Sequence, residues 1–170
     1  LVFATAGGDG VLRAFANQYL GRAYHAQGAY QRAIECLGQA MASFDGPRRR
    51  EHFGQVILPA VISRVWLAWC HAELGTFAEG STLGAEGLRI AETMAHPASL
   101  MFAWWGIGLL ALRKGDWHRA LPRLERAVDI CQDAELPFYF PLIAAPLVVA
   151  FTLGGPVAEA VPLLTQALKQ

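Results

Sequence analysis

The sequence predicts an all-α protein, a right-handed superhelical array of antiparallel helix pairs in about four repeats of roughly 40 residues. Three observations predict it. Apolar residues recur at three- and four-residue steps along most of the chain, the spacing of one face of a helix. A glycine followed two positions on by a bulky residue and five on by a small one occurs four times: Gly28, Tyr30 and Ala33; Gly75, Phe77 and Gly80; Gly115, Trp117 and Ala120; Gly155, Val157 and Ala160. These glycines stand 47, 40 and 40 residues apart.

Each anchor glycine separates a first helix from a second, because a residue at positive φ ends a helix most cheaply when it has no Cβ. Seven positions before the anchors lie Gly21, Ala68, Gly108 and Val148, preceded by Leu20, Leu67, Ile107 and Leu147. Nine and twelve positions after them come Leu37 and Ala40, Gly84 and Gly87, Leu124 and Ala127, Leu164 and Ala167. The small residues let paired helices approach while the large ones fill the groove beside them. Thr76 to Glu79, "TFAE", reads as a capping box, Asp116 as an N-cap and Pro156 as a first-turn proline. One domain over residues 1–170 is expected, with repeats at about 14–47, 61–98, 101–138 and 141–170. The longer first interval places an enlarged loop or short helical insert at 45–58, since Asp45, Gly46 and Pro47 stop a helix and Pro59 suits the start of the next.

Asn17, Leu20, Gly21, Tyr24, Gly28, Tyr30, Ala33, Leu37 and Ala40 together resemble the tetratricopeptide repeat, an α-solenoid module, with asparagine where an aromatic or aliphatic is usual. The third copy, from Trp104 through Gly115 to Ala127, is nearly as close; the second and fourth are degenerate. The resemblance covers about residues 14 to 170. The 40-residue spacing and phrases such as "GLLALRKGDWHRALPRLERAVDIC" are similar to the arrays of large bacterial signalling proteins, cyclase-like or carrying an ATPase module. No cyclase or phosphate-loop residue is present. The chain opens on Leu1 without methionine, and "LVVAFTLGG" is not a polar end cap, so it reads as a piece of a longer chain.

Fourteen basic and fourteen acidic residues cancel, which argues against nucleic acid or an anionic membrane as partner. Apolar residues make up 54% of the chain and charged ones 16%, so part of the apolar surface is expected to have a partner, including self-association of the isolated chain. Cys36, Cys70 and Cys131 are odd in number, far apart and set among apolar residues, as expected of unpaired thiols in a reducing, cytoplasmic setting. The stretches Ser99 to Leu112 and Leu136 to Ala158 read as buried helices, one too short for a membrane span and the other broken by prolines and glycines.

Neither catalysis nor a metal nor another cofactor is expected. His25, His52, His71, His96 and His118 form no i, i+4 ligand pair, and adjacent Cys70 and His71 point to different faces of a helix. "GSTLG" at Gly80 to Gly84 falls inside a predicted helix, where its glycines serve packing. Arg48, Arg49 and Arg50, like Arg119, Arg123 and Arg126, read as solvated faces with acidic neighbours.

The resemblance implies that first helices line a concave groove. The register then turns Gln18, Tyr19, Arg22 and His25 toward it in the first copy, Val65, Trp66 and Trp69 in the second, and Trp105, Leu109 and Leu112 in the third. Val65, Trp66, Trp69, Trp105, Leu109 and Leu112 are the expected binding surface, with Arg22 and His25 as its polar margin. Two readings of the tryptophans stand side by side: contact anchors on a surface, or packing between neighbouring helix pairs. The expected function is a noncatalytic interaction or regulatory scaffold that takes an apolar or amphipathic segment, or a neighbouring domain, in the groove. The alternative is a sensor that encloses a small apolar ligand and regulates attached catalytic domains.

Overall fold

The computed structural model describes residues 10–154 and 157–167, which form eight α-helices and no strand. They are α1 (Gly10–Ala26), α2 (Tyr30–Ser43), α3 (Pro59–Glu73), α4 (Phe77–Met94), α5 (Pro97–Arg113), α6 (Trp117–Asp133), α7 (Phe140–Gly154) and α8 (Ala160–Ala167). Short 3-10 turns occupy Gly46–Arg50, Pro137–Tyr139 and Val157–Glu159. The fold is an all-α helical-repeat solenoid.

The anchor glycines end first helices as expected. Gly28, Gly75 and Gly115 adopt φ of +74°, +76° and +82°. Around each the same two bonds close the helix: the glycine N–H reaches a carbonyl three residues back, and the next N–H one five back, as in Ala29 to Tyr24, Thr76 to His71 and Asp116 to Ala111. Gly155 and Pro156 lie outside the described residues. Asp116 caps α6, its carboxylate accepting from the Arg119 N–H at 3.2 Å. The capping box at Thr76 does not form. Its hydroxyl turns back to donate to the His71 carbonyl at 3.2 Å and lies 2.8 Å from the His71 ring, so the side chain closes the outgoing helix instead of the incoming one. α5 opens at Pro97, four residues ahead of the expected 101, because His96 Nδ1 accepts from the Ser99 N–H at 3.3 Å.

Between α2 and α3 the chain takes the 3-10 turn and then a loop that ends at Pro59. A buried cation holds this segment. Arg64 is 3% exposed, and its guanidinium reaches Asp45 at 3.1 Å, Glu86 on α4 at 3.2 Å and the Ala60 carbonyl at 3.1 Å. Burial pushes the Asp45 carboxyl up, but hydrogen bonds from Arg49 and the Gly46 backbone, with the Arg64 and Arg49 charges, outweigh that and hold it below its usual value.

Small residues set the spacing of the helices. A Cβ at Gly108 would lie 2.8 Å from Leu124, and one at Gly84 the same distance from Ile107, so the "GSTLG" glycines do serve contact between α4 and α5. A Cβ at Gly106 would lie 2.6 Å from Val65, at the crossing of the first helices α3 and α5. α3 packs broadly on α5, whereas the second helices α4 and α6 have α5 between them.

A continuous core runs from Ile57 to Ala160 through α3 to α8. The first pair has two small clusters of its own, one around Phe44 with Ala14, Ala40 and Ala60, the other joining Ala33 and Leu37 to Leu67 and Cys70. Gln18, expected in the groove, is buried; its amide donates to the Pro59 carbonyl at 3.0 Å and to the Ser63 hydroxyl at 2.8 Å. Asn17, at the position usually apolar, is buried too and donates to Gln39 at 3.0 Å. Segment Pro137–Gly154 is long and apolar enough to cross a membrane by length and composition. Its inner face, including Phe140, Ile143, Leu147 and Phe151, packs in the core, and Leu142, Val149 and Leu153 point outward.

Two glycines test the backbone argument in opposite directions. Gly115→Val should cost about 1 kcal/mol or more, since a β-branched residue resists positive φ and nothing but conformation is at stake there. Gly38→Ala should instead stabilise α2 by about 0.5 to 1 kcal/mol, because a Cβ there meets nothing within 4 Å. Urea midpoints of the two variants measure both signs.

Candidate partner-binding groove

The helical period brings the expected groove residues of α1, α3 and α5 together as one aromatic row. Arg22 lies over the Trp66 ring at 5.2 Å and the Tyr19 ring at 5.4 Å, and the His25 ring meets Trp66 edge-on at 5.1 Å. Trp66 and Trp69 are 4.8 Å apart, and Trp69 and Trp105 are 5.2 Å apart, both edge-to-face. Phe102 braces the far end, 5.5 Å from Trp105.

Within this row the register separates surface from interior. Val65 is fully buried, and Trp69 is 7% exposed with its indole N–H donating to the Gly106 carbonyl at 3.2 Å. Both belong to the core between α3 and α5, because the missing side chain at Gly106 draws the two helices close enough to cover them. Trp66, Trp105, Leu109, Leu112, Arg22 and His25 are half-buried. Tyr19 is exposed beside them.

Residues outside the expected set complete the walls. Glu73 and Arg113 form an ion pair at 2.6 Å across the ends of α3 and α5. Each stands two residues before an anchor glycine, a register signal that could have found them. With His25, Trp69 and Leu109 they enclose a cavity of only about 30 Å³. Tyr139 lies where the Arg22 charge is felt: burial pushes its phenol up, and Arg22 acts in the opposite direction. It sits in a 3-10 turn, outside the helical period, so no spacing pointed to it.

Two polar atoms in this floor are buried without a hydrogen-bond partner among the described residues, Nε2 of His25 and the indole N–H of Trp105. Burial lowers the His25 pKa, with Glu73 opposing and Arg113 adding to the shift. Among the described residues no three His, Cys, Asp or Glu side chains come together in a way that could hold a metal. The three thiols are unpaired, and burial pushes that of Cys70 up to about 12, the range of an inert thiol.

The family model of the tetratricopeptide repeat matches residues 20–51 and 104–137, in each case the end of a first helix, the turn glycine and a second helix. These two stretches are similar to tetratricopeptide repeats. No curated protein compared with the chain matches it. Tetratricopeptide repeats build protein-interaction scaffolds and are generally not catalytic. The first helices of the two matched repeats, α1 and α5, flank α3, which carries Trp66 and Trp69.

The burial difference gives a stability test. Trp69→Ala should cost about 3 to 5 kcal/mol, as for a large core side chain that also loses a hydrogen bond. A calorimetric or urea unfolding measurement reads it directly.

The histidines set a pH dependence. The pKa of His25 is lowered first by burial, and that of His96 by burial and then by the His52 charge. Each binds its proton less readily in the fold than in the unfolded chain. Their contribution is therefore complete above about pH 6.5 and is lost as the pH falls below it. The urea midpoint should drop between about pH 7.5 and about pH 5.5, and the drop should be smaller in His25→Phe.

Proposed function

We propose that this array is a noncatalytic interaction scaffold that receives an apolar or amphipathic segment, or a neighbouring domain, along Trp66, Trp105, Leu109 and Leu112, with Arg22 and His25 at its polar margin. The observation that carries this reading is the row of half-buried Trp66 and Trp105 across α3 and α5, with Arg22 over the Trp66 ring. Trp66 offers the flat apolar contact, and the cation above it favours a segment with an acidic or carbonyl-rich edge. A peptide helix with apolar residues at i, i+3, i+4 and i+7 fits such a groove.

The sensor reading has less support. A small apolar ligand needs roughly 300 Å³ or more, and the space beside Trp69 and Leu109 is about 30 Å³. The unpaired thiols fit a reducing, cytoplasmic setting. The exposed Phe138, Leu153, Val157 and Val161 favour self-association of the isolated chain at high concentration, which light scattering would detect.

A panel of synthetic amphipathic helical peptides, titrated by fluorescence anisotropy, tests the proposal. Trp66→Ala or Trp105→Ala should weaken the tightest binder by about 2 kcal/mol, roughly 30-fold, while the helical circular dichroism is kept. Unchanged affinity in both folded variants would remove the groove as the site.

A further inference from the structure

A second cleft lies on the other side of the array. It opens between the second helices α4 and α6, has α5 as its floor, and encloses about 440 Å³, the size of a small-molecule site. None of the groove residues lines it. Ser81 and Ala85, one turn apart on α4, are exposed and too small to fill the mouth. The floor is apolar, built from Trp104, Ile107 and Leu110.

The rim carries three cations against one carboxylate. Lys114 ends α5, and Arg119 and Arg123 stand one turn apart near the start of α6. The single carboxylate, Asp116, is already committed: it caps α6 through the Arg119 N–H and pairs with the Arg119 side chain at 3.5 Å. Arg123 is held over the floor by one hydrogen bond at 3.4 Å to the Ile107 carbonyl, which leaves the rest of its donor fork for another acceptor. Lys114 has no carboxylate partner among the described residues. The N-terminal end of the 17-residue α6 adds its own positive field.

We propose that this cleft binds a small amphiphilic carboxylate, its apolar tail against Trp104, Ile107 and Leu110 and its head between Lys114 and Arg123. A neutral apolar molecule would leave the cations without a counterion, and a compact inorganic anion would leave the floor wet. A carboxylate held between Lys114 and Arg123 meets both of the cations that Asp116, paired with Arg119, does not offset. The planar guanidinium of Arg123 suits a carboxylate's two oxygens. The site is independent of the concave groove, so either can fail alone.

Decanoate, decanol and ω-bromodecanoate are the probes, with isothermal titration calorimetry and tryptophan fluorescence as readouts. Decanoate should bind at one site, at least about tenfold more tightly than decanol. The bromo derivative should quench fluorescence in the native chain, and less so in Trp104→Phe. Lys114→Glu combined with Arg123→Gln should weaken decanoate by about tenfold or more. Ala85→Phe, which fills the mouth from an exposed position, should abolish binding while the urea midpoint is kept. The proposal is overturned by no decanoate binding, by equal affinity for decanoate and decanol, or by decanoate affinity unchanged in folded Ala85→Phe.

Discussion

Val65 and Gly106 share a space that has room for only one side chain. That exclusion brings α3 and α5 together, and much of the architecture follows from it. With α3 and α5 in contact, α4 and α6 stand apart on the other side with α5 between them. The same contact buries Trp69, whose indole N–H finds the Gly106 carbonyl that the close approach makes available. It thereby decides which aromatic rings belong to the interior and which remain at the groove. One small residue sets the interior, the concave floor and the outer cleft together.

The second determinant is polar. Arg64 is an almost fully buried cation whose charge is balanced by two partly exposed carboxylates, Asp45 and Glu86. A buried cation is tolerable only with such partners, and these come from the insert and from α4. The insert is thus tied to its place by charge at Asp45 and by apolar packing at Phe53, Ile57 and Leu58. Gln18 does related work one layer away, joining α1 to the start of α3 through the Pro59 carbonyl and the Ser63 hydroxyl.

The repeat was legible because its constraints are local. Positive φ leaves a glycine at each turn, and a helical period carries Trp66, Trp69 and Trp105 to one side of the first helices. The register could not tell Trp69 from Trp105, since burial depends on how closely a second helix approaches, and that distance is set at Gly106. Thr76 carried the pattern of a cap, but the His71 carbonyl competed for its hydroxyl. His96 caps α5 with a ring nitrogen, which the usual capping residues do not suggest. Tyr139 sits in a turn with no period to follow. The outer cleft was hidden for a different reason: Lys114, Arg119 and Arg123 look like solvated surface in one dimension, and only the gap between α4 and α6 gives them a common ligand space.

The joint between the first helix pair and the rest differs in kind from the joints that follow. From α3 onward a single apolar core passes from one pair to the next, while α1 and α2 are attached by two small clusters and a few directional bonds. Directional bonds lose their strength over a fraction of an ångström, whereas apolar contact can slide and persist. A small rotation of the first pair against the rest would therefore break the Gln18 hydrogen bonds while its two apolar clusters stayed in contact.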